Sequence, residues 1–272
     1  MSDTQASLQS NYERDGFVFP VRAMSGEQAA GYRGQLEAVE RSIAGDTEKE
    51  KAVRSYCNLV LPFIDEITRT PEITGPVSAL LGDDLIVFGC SLFIKEPRST
   101  SYVSWHQDLH YWGLDNEEEV TAWLALSPST RASGCMRFVA GSHREILEHN
   151  DTHHSDNLLT RGQEIAVDVD ENDATDVVLQ PGEMSLHHGR LLHASAPNGS
   201  DDRRIGVAIR YITPRQHQVV GGRTIATLVR GRDTHGNFEL ADAPKLAMGA
   251  DEMALWRRAT GAKDKILYRE TA

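Results

Sequence analysis

Between Ser104 and Trp112 the chain reads Ser-Trp-His-Gln-Asp-Leu-His-Tyr-Trp, and His106 and Asp108 are the residues there whose types and spacing could hold a metal. On an extended strand alternate side chains share a face, so this imidazole and carboxylate project together from neighbouring rungs. In a helix they would diverge. With a second His from elsewhere the pair leaves coordination positions open, an arrangement suited to a redox-active ferrous ion. His110 alternates onto the same face, and His106, Asp108 and His110 alone would make a zinc-hydrolase-like triad. Three ligands on one straight strand span roughly 13 Å at about 3.3 Å per residue, too far to meet at one ion. His110 is therefore expected beside the site or in a substrate pocket, and the chain must supply another His.

That His lies in Gly182-Glu183-Met184-Ser185-Leu186-His187-His188-Gly189-Arg190-Leu191-Leu192-His193-Ala194-Ser195-Ala196-Pro197-Asn198-Gly199-Ser200, which Arg203 and Arg204 follow. H-x-D, then H-x-S-x-x-N-x-S, then an Arg eleven residues after the His resembles the phytanoyl-CoA dioxygenase family of iron(II)/2-oxoglutarate oxygenases. The resemblance runs from Tyr12-Glu13-Arg14-Asp15-Gly16-Phe17 to about Tyr211. Gly134 to His143 resembles the family's glycine-containing strand and G-S-H turn, with Met136 and Ala140 where Leu or Pro is frequent.

The resemblance implies that His106, Asp108 and His193 hold Fe(II), with 2-oxoglutarate and O2 as cosubstrates. It places Arg204 on the distal carboxylate of 2-oxoglutarate, where a guanidinium can pair bidentately. Ser195 would add a hydroxyl, and Lys95 stands where the family often has a cosubstrate-contacting lysine. On a strand Arg204 shares a face with Gly206 and Ala208, small neighbours that leave room for a ligand, while Arg203 points outward. Trp112 lies six residues beyond His106, where the similar ectoine hydroxylases place a substrate-facing tryptophan. Tyr111, Trp105 and His110 are the other candidates for the substrate pocket. Asn198 and Ser200 match a family turn and His188 a family position; His187 faces the other way as a packing or surface histidine.

The implied reaction is hydroxylation of an unactivated C–H bond with release of succinate and CO2, the cofactor carrying the hard chemistry. Halogenases of this fold carry Gly or Ala in place of Asp108, so its presence favours hydroxylation. Desaturation, epimerisation or ring formation would use the same centre, and a metal-binding cupin-like protein without catalysis is the rival of another class.

The elements that must position these residues are strands. From Val120 onward strand signals recur every ten to fifteen residues: Val120–Leu126, Cys135–Val139, Ile165–Val169, Val177–Leu179, Met184–His188, Leu191–Ser195 and Ile205–Ile212. Gly, Pro, Asn and Asp punctuate them, the pattern of a jelly roll. The fold expected is mainly β, a double-stranded β-helix of cupin-like type with flanking α-helices. All 272 residues are expected to form one domain, with a helical part to about 82, a core over 85–213 and an extension over 214–272. Ser25-x-x-Gln28 reads as a capping box opening a helix whose stripe is Ala29, Tyr32, Leu36, Val39 and Ile43. Met1 to Asn11 is expected to fray and Asp46 to Arg54 to be an exposed connection. Pro71 and Pro76 divide Leu59 to Leu81 into short helices closing at Gly82. His143, His149, His153 and His154 read as residues of a solvated loop. The turn-rich stretch 221–237 is expected as a lid or a surface extension, and Asp251 to Ala262 as a terminal helix.

Composition narrows the partners. With 28 basic against 40 acidic residues the net charge is -12, which argues against nucleic acid or an anionic membrane and leaves a small-molecule substrate. Cys57, Cys90 and Cys135 form no metal or disulfide pattern, and no apolar run approaches the roughly 18 residues of a membrane span. A reducing cytoplasm is the expected location.

Overall fold

The computed structural model describes residues 3–109, 112–151, 154, 156–159, 163–165 and 169–267. His110, Tyr111 and His153 lie outside the described residues.

The helices come first. α1 (Asp3–Asp15) takes up most of the polar start that was expected to fray, and its Tyr12 is buried. β1 (Phe17–Arg22) follows. α2 (Gly26–Ser42) opens on the predicted capping box: the Gln28 amide donates to Ser25 Oγ at 3.1 Å, and the Ser25 amide to Gln28 Oε1 at 2.9 Å. Each side chain satisfies an N–H that the helix leaves open. Ala29, Leu36 and Ile43 of its stripe are buried. The expected connection over Asp46 to Arg54 is instead α3 (Thr47–Arg54), capped by Asp46 accepting from the Lys49 amide at 3.2 Å. Its Ala52 and Val53 are buried, which is what holds so charged a helix in place. α4 (Pro62–Arg69) and α5 (Pro71–Leu81) each start on a proline, where the missing N–H costs nothing. Pro76 sits inside α5 without ending it, so Pro71 alone divides the pair.

The strands are β2 (Leu85–Lys95), β3 (Val103–His106), β4 (Glu119–Ala125), β5 (Met136–Val139), β6 (His149–Asp151) and β7 (Gln163–Ile165). After them come β8 (Ala174–Val177), β9 (Glu183–His187), β10 (His193–Ser195), β11 (Arg204–Ile212), β12 (Ile225–Arg230) and β13 (Glu239–Leu240), before α6 (Ala250–Leu267). One sheet runs β1-β9-β4-β11-β2-β12-β13 and a second β3-β10-β5-β8, with β6 and β7 as a separate pair. The fold is mainly β, a cupin-like jelly roll with flanking helices, as the strand spacing predicts.

Two compact units can be traced, one of residues 1–30, 93–110 and 123–206, the other of residues 31–92, 111–122 and 207–272. The first holds the four-stranded sheet. In the second, Ile86, Phe88, Ile212, Ala226 and Phe238 form a cluster on which Trp112, Leu114 and Leu228 pack. Within the stretch 221–237 the structure forms a strand of the second unit. Its β12 pairs antiparallel with β2, Thr227 opposite Val87 and Leu228 opposite Ile86, because Ile225-Ala226-Thr227-Leu228-Val229 is a β-prone run between two Gly-containing turns. α6 buries Met253, Trp256 and Ala259, and Trp256 Nε1 donates to the Ser55 carbonyl at 2.7 Å. No described helix is long and apolar enough to cross a membrane.

Candidate metal centre

β10 lies between β3 and β5, so His193 faces His106 on one side and Phe138 on the other. The β3 ladder shifts register between the His193–His106 and Ser195–Val103 pairs, a bulge of the kind that re-aims side chains beside active sites. The two imidazole rings stand 4.0 Å apart between centroids. In each, Nδ1 contacts the carbonyl two residues back, Ser104 for His106 at 2.9 Å and Leu191 for His193 at 2.8 Å. A carbonyl can only accept, so Nδ1 carries the proton in both rings and Nε2 is left with its lone pair.

β3 stops at His106, and Asp108 sits in the bend beyond it. The expected straight strand to Trp112 is therefore absent, yet the two-residue spacing still brings Asp108 Oδ1 to 3.4 Å from His106 Nε2. Ligand atoms of His106, Asp108 and His193 all lie within 4.8 Å of one another. Bonds near 2.1 Å at right angles put neighbouring ligand atoms on the order of 3 Å apart. Two neutral imidazoles and one carboxylate thus fit a divalent ion with positions to spare, the donor set of non-haem Fe(II).

Gln107, between the two ligands, is 1% exposed and fully engaged. Its Nε2 donates to the Glu145 and Arg190 carbonyls at 2.8 and 2.7 Å, and its Oε1 accepts from the Leu147 amide at 2.9 Å. The Gln107 amide donates to His149 Nε2 at 2.9 Å. His149, expected on a solvated loop, is thus a structural partner of the ligand-bearing segment; no spacing in the sequence signals it.

Arg204, at the start of β11, is 1% exposed, and no described carboxylate pairs with it. Its Nη1 donates to the Gly134 carbonyl at 2.5 Å, its guanidinium carbon stands 5.0 Å from the Trp123 ring centroid, and its buried Nε has no partner. Burial pulls the guanidinium down to about 10, still charged at neutral pH. A buried cation with an unspent donor is an anion site in waiting. Gly134, at φ +69°, must be glycine: a Cβ there would stand 2.1 Å from the Ala196 carbonyl oxygen. The space at Gly206, expected to serve a ligand, is taken by Trp123, which a Cβ at 206 would meet at 1.8 Å. That glycine admits the ring on which Arg204 lies.

Lys95 is fully buried rather than reaching outward. Its Nζ donates to Ser195 Oγ at 2.7 Å, to the Ser195 carbonyl at 3.2 Å and to the Ala196 carbonyl. Burial first, and the charge of Arg204 second, push its ammonium down to about 6. Ser195 Oγ, accepting from Lys95, keeps its own proton to donate. Asn198 holds the following turn as expected, donating to the Lys95, Glu96 and Asp202 carbonyls and accepting from the Ser200 amide and hydroxyl.

The phytanoyl-CoA dioxygenase family matches the chain over residues 12–206, the span that carries His106, Asp108, His193 and Arg204. The protein belongs to that family. It is therefore a 2-oxoglutarate-dependent non-haem iron dioxygenase. A probable alpha-ketoglutarate-dependent hypophosphite dioxygenase of Stutzerimonas stutzeri is 27% identical over 253 residues, 84% of this chain and 87% of that enzyme. The ectoine dioxygenase of Streptomyces avermitilis is 27% identical over 157 residues, 53% of each chain, so the match spans about half of that relative. Among solved structures the non-heme monooxygenase ThoJ, in its apo form, is 36% identical with a TM-score of 0.87, covering 97% of this chain and 98% of its own; ThoJ has also been solved as a nickel complex.

The remaining described candidates have other neighbours. Trp105 alternates away from His106 on β3, its ring under the Arg137 guanidinium at 5.8 Å. Strand alternation itself predicts that placement, on the face of β3 opposite His106. Trp112 belongs to the second unit, 5.8 Å from Phe88 and 5.5 Å from the Arg210 guanidinium. Arg203 points outward as expected and forks onto Glu96. His187 is buried rather than exposed, 5.0 Å from Phe138 and 5.2 Å from His193 between ring centroids. His188 lies 5.5 Å from His143, and burial pushes it down to about 4.

Proposed function

We propose that the protein hydroxylates an unactivated C–H bond of a small molecule, with His106, Asp108 and His193 holding Fe(II) and with Arg204 and Ser195 binding 2-oxoglutarate. The convergence of those three ligands within 4.8 Å carries the reading. Iron held there would activate O2, the oxidant: one oxygen atom would go into succinate as the 2-oxo acid loses CO2, and the other into the substrate C–H bond.

The chain's own part is to bind, orient and exclude water. His106 and His193 present Nε2 because backbone carbonyls hold their Nδ1 protons. Asp108 adds the negative charge that favours a divalent cation. Arg204 offers Nε, and the Ser195 hydroxyl donates beside it, to the distal carboxylate. Lys95 acts through Ser195 rather than on the cosubstrate, since its Nζ already has three acceptors. Asp108 fills the position that a halogenase of this fold leaves to Gly or Ala, which favours hydroxylation. A small molecule suits a chain of net charge -12 better than a polyanion does. The three free, buried thiols suit a reducing compartment.

Anaerobic addition of Fe(II) and then 2-oxoglutarate tests the reading. A visible charge-transfer band is expected, absent in His106→Ala, Asp108→Ala and His193→Ala. A wild-type protein that binds neither, or a His193→Ala variant with an undiminished band, refutes it.

A further inference from the structure

The backbone between the two early ligands is fixed from outside the ladder. His106 ends β3, and Leu109 rejoins the fold through its amide on the Gly189 carbonyl at 2.9 Å. Across the interval that must set Asp108 against His106, the first amide is held by a ring nitrogen of His149, not by a backbone carbonyl. His149 is suited to accept there for the reason that suits His106 and His193 to a metal: its Nδ1 contacts the carbonyl two residues back, Leu147, at 2.9 Å, leaving Nε2 with a lone pair. His149 also opens β6, where it stands opposite Ile165 of β7, so a strand pair holds the acceptor. The Gln107 side chain ties the same loop at Glu145 and Leu147. Rotation of the 106–107 peptide would move the following carboxylate away from Nε2 of His106, and the bond to His149 opposes that rotation.

We infer that His149 is a positioning residue for the metal centre: its Nε2 lone pair, through the Gln107 amide, holds His106 and Asp108 in binding register. The inference rests on the metal-site reading above. It differs from an ordinary packing role because it depends on an acceptor atom and not on ring volume. His149→Phe keeps a ring without the acceptor, whereas His149→Gln carries an amide oxygen of similar reach.

Metal-free wild type, H149F, H149Q and H193A are titrated with Co(II), followed by its visible absorption, with far-UV circular dichroism to confirm folding. Loss of a partner around the ligands costs roughly 10- to 100-fold in metal affinity, so H149F should bind about tenfold or more weakly while H149Q stays within about threefold of wild type. H149F binding as tightly as wild type, or H149Q falling as far as H149F, overturns the inference while H193A still separates it from the metal assignment. Wild type that fails to bind Co(II), or H193A that binds unchanged, overturns both. A second measurement needs no variant. Coupling is reciprocal, so saturating Zn(II) should slow exchange of the Gln107 amide proton by about the same tenfold, and exchange unchanged by Zn(II) also refutes the role.

Discussion

Replacing Arg204 by Met should move two measured quantities in opposite directions. In the ligand-free protein the guanidinium is 1% exposed, donates to one carbonyl and faces no described carboxylate. The fall from the ordinary 12.5 to about 10 corresponds to about 3 kcal/mol of desolvation that ligand-free contacts do not offset. The group stays charged below its folded pKa, so at neutral pH this cost is present in full. Met removes it and gives up the stacking on Trp123, worth about 1 kcal/mol, and the hydrogen bond to the Gly134 carbonyl, worth about another 1 kcal/mol. The ligand-free variant should be more stable by about 1 kcal/mol, raising Tm by roughly 2–3 °C in a chain of this size. Cosubstrate binding should suffer: two charge-assisted hydrogen bonds to a carboxylate are together worth about 3–4 kcal/mol, or about a hundred- to a thousandfold in Kd. Anaerobic titration of the Fe(II) protein with 2-oxoglutarate reads the second quantity and calorimetry of the metal-free protein the first. Unchanged 2-oxoglutarate affinity refutes the assignment. Weakened affinity with an equal loss of ligand-free stability refutes the electrostatic reasoning, since Arg204 would then be a structural strut.

Gly206→Ala should cost about 2 kcal/mol or more by urea denaturation, because a Cβ 1.8 Å from Trp123 forces the ring off its seat; an unchanged midpoint would mean that the ring moves freely. His188 gives a pH dependence. Its folded pKa, about 4, lies below the ordinary 6.5, so its contribution to stability is complete above 6.5, falls as pH drops and is gone below about 4. Allowing for its partial exposure, about 2 kcal/mol of stability should be lost between pH 7 and 4 in urea melts. His188→Phe should lose that much less over the same range, and equal losses in both proteins would refute the assignment.

What the sequence shows depends on how far apart the interacting groups lie along it. The His106 and Asp108 pair is legible because two-residue spacing survives even where the strand ends between them. The capping box at Ser25 and Gln28 is legible for the same local reason. α3 could have been found: Asp46 as cap, Glu48 and Glu50 in the first turn, and Lys51 and Arg54 in the last all complement the helix dipole. Its composition, which reads as an exposed loop, masked that signal. By contrast, alternation places Gly206 on the face of Arg204 but says nothing of which residue from β4 fills the space, and Trp123 is 83 positions away. Lys95 reads only as a match to a cosubstrate-contacting position, since nothing local announces that Ser195 and Ala196 will fold back over its ammonium. His149 is hardest, because its partner is a main-chain amide and every residue type has one.

The charges explain why these particular groups are buried together. Asp108 carries the one negative charge among the proposed ligands, and Arg204 is a buried positive charge with no described carboxylate paired with it. A ferrous ion brings two positive charges to the first and 2-oxoglutarate two negative charges to the assembly, so the proposed complex is neutral as long as Lys95 is uncharged. Burial and the charge of Arg204 push the Lys95 ammonium down to about 6, which favours the amine at pH 7, its two N–H groups shared among the three neighbouring oxygens. Were it ionised, a second cation would stand close enough to Arg204 for the two to repel, and the cosubstrate would meet an excess positive charge with no fixed counterion. The three histidines that engage the segment share one device: a backbone carbonyl accepts from Nδ1 in each, which fixes the ring and turns Nε2 to the segment. Within the proposed site, Asp108 and Arg204 thus put their formal charges where the proposed bound groups are themselves charged.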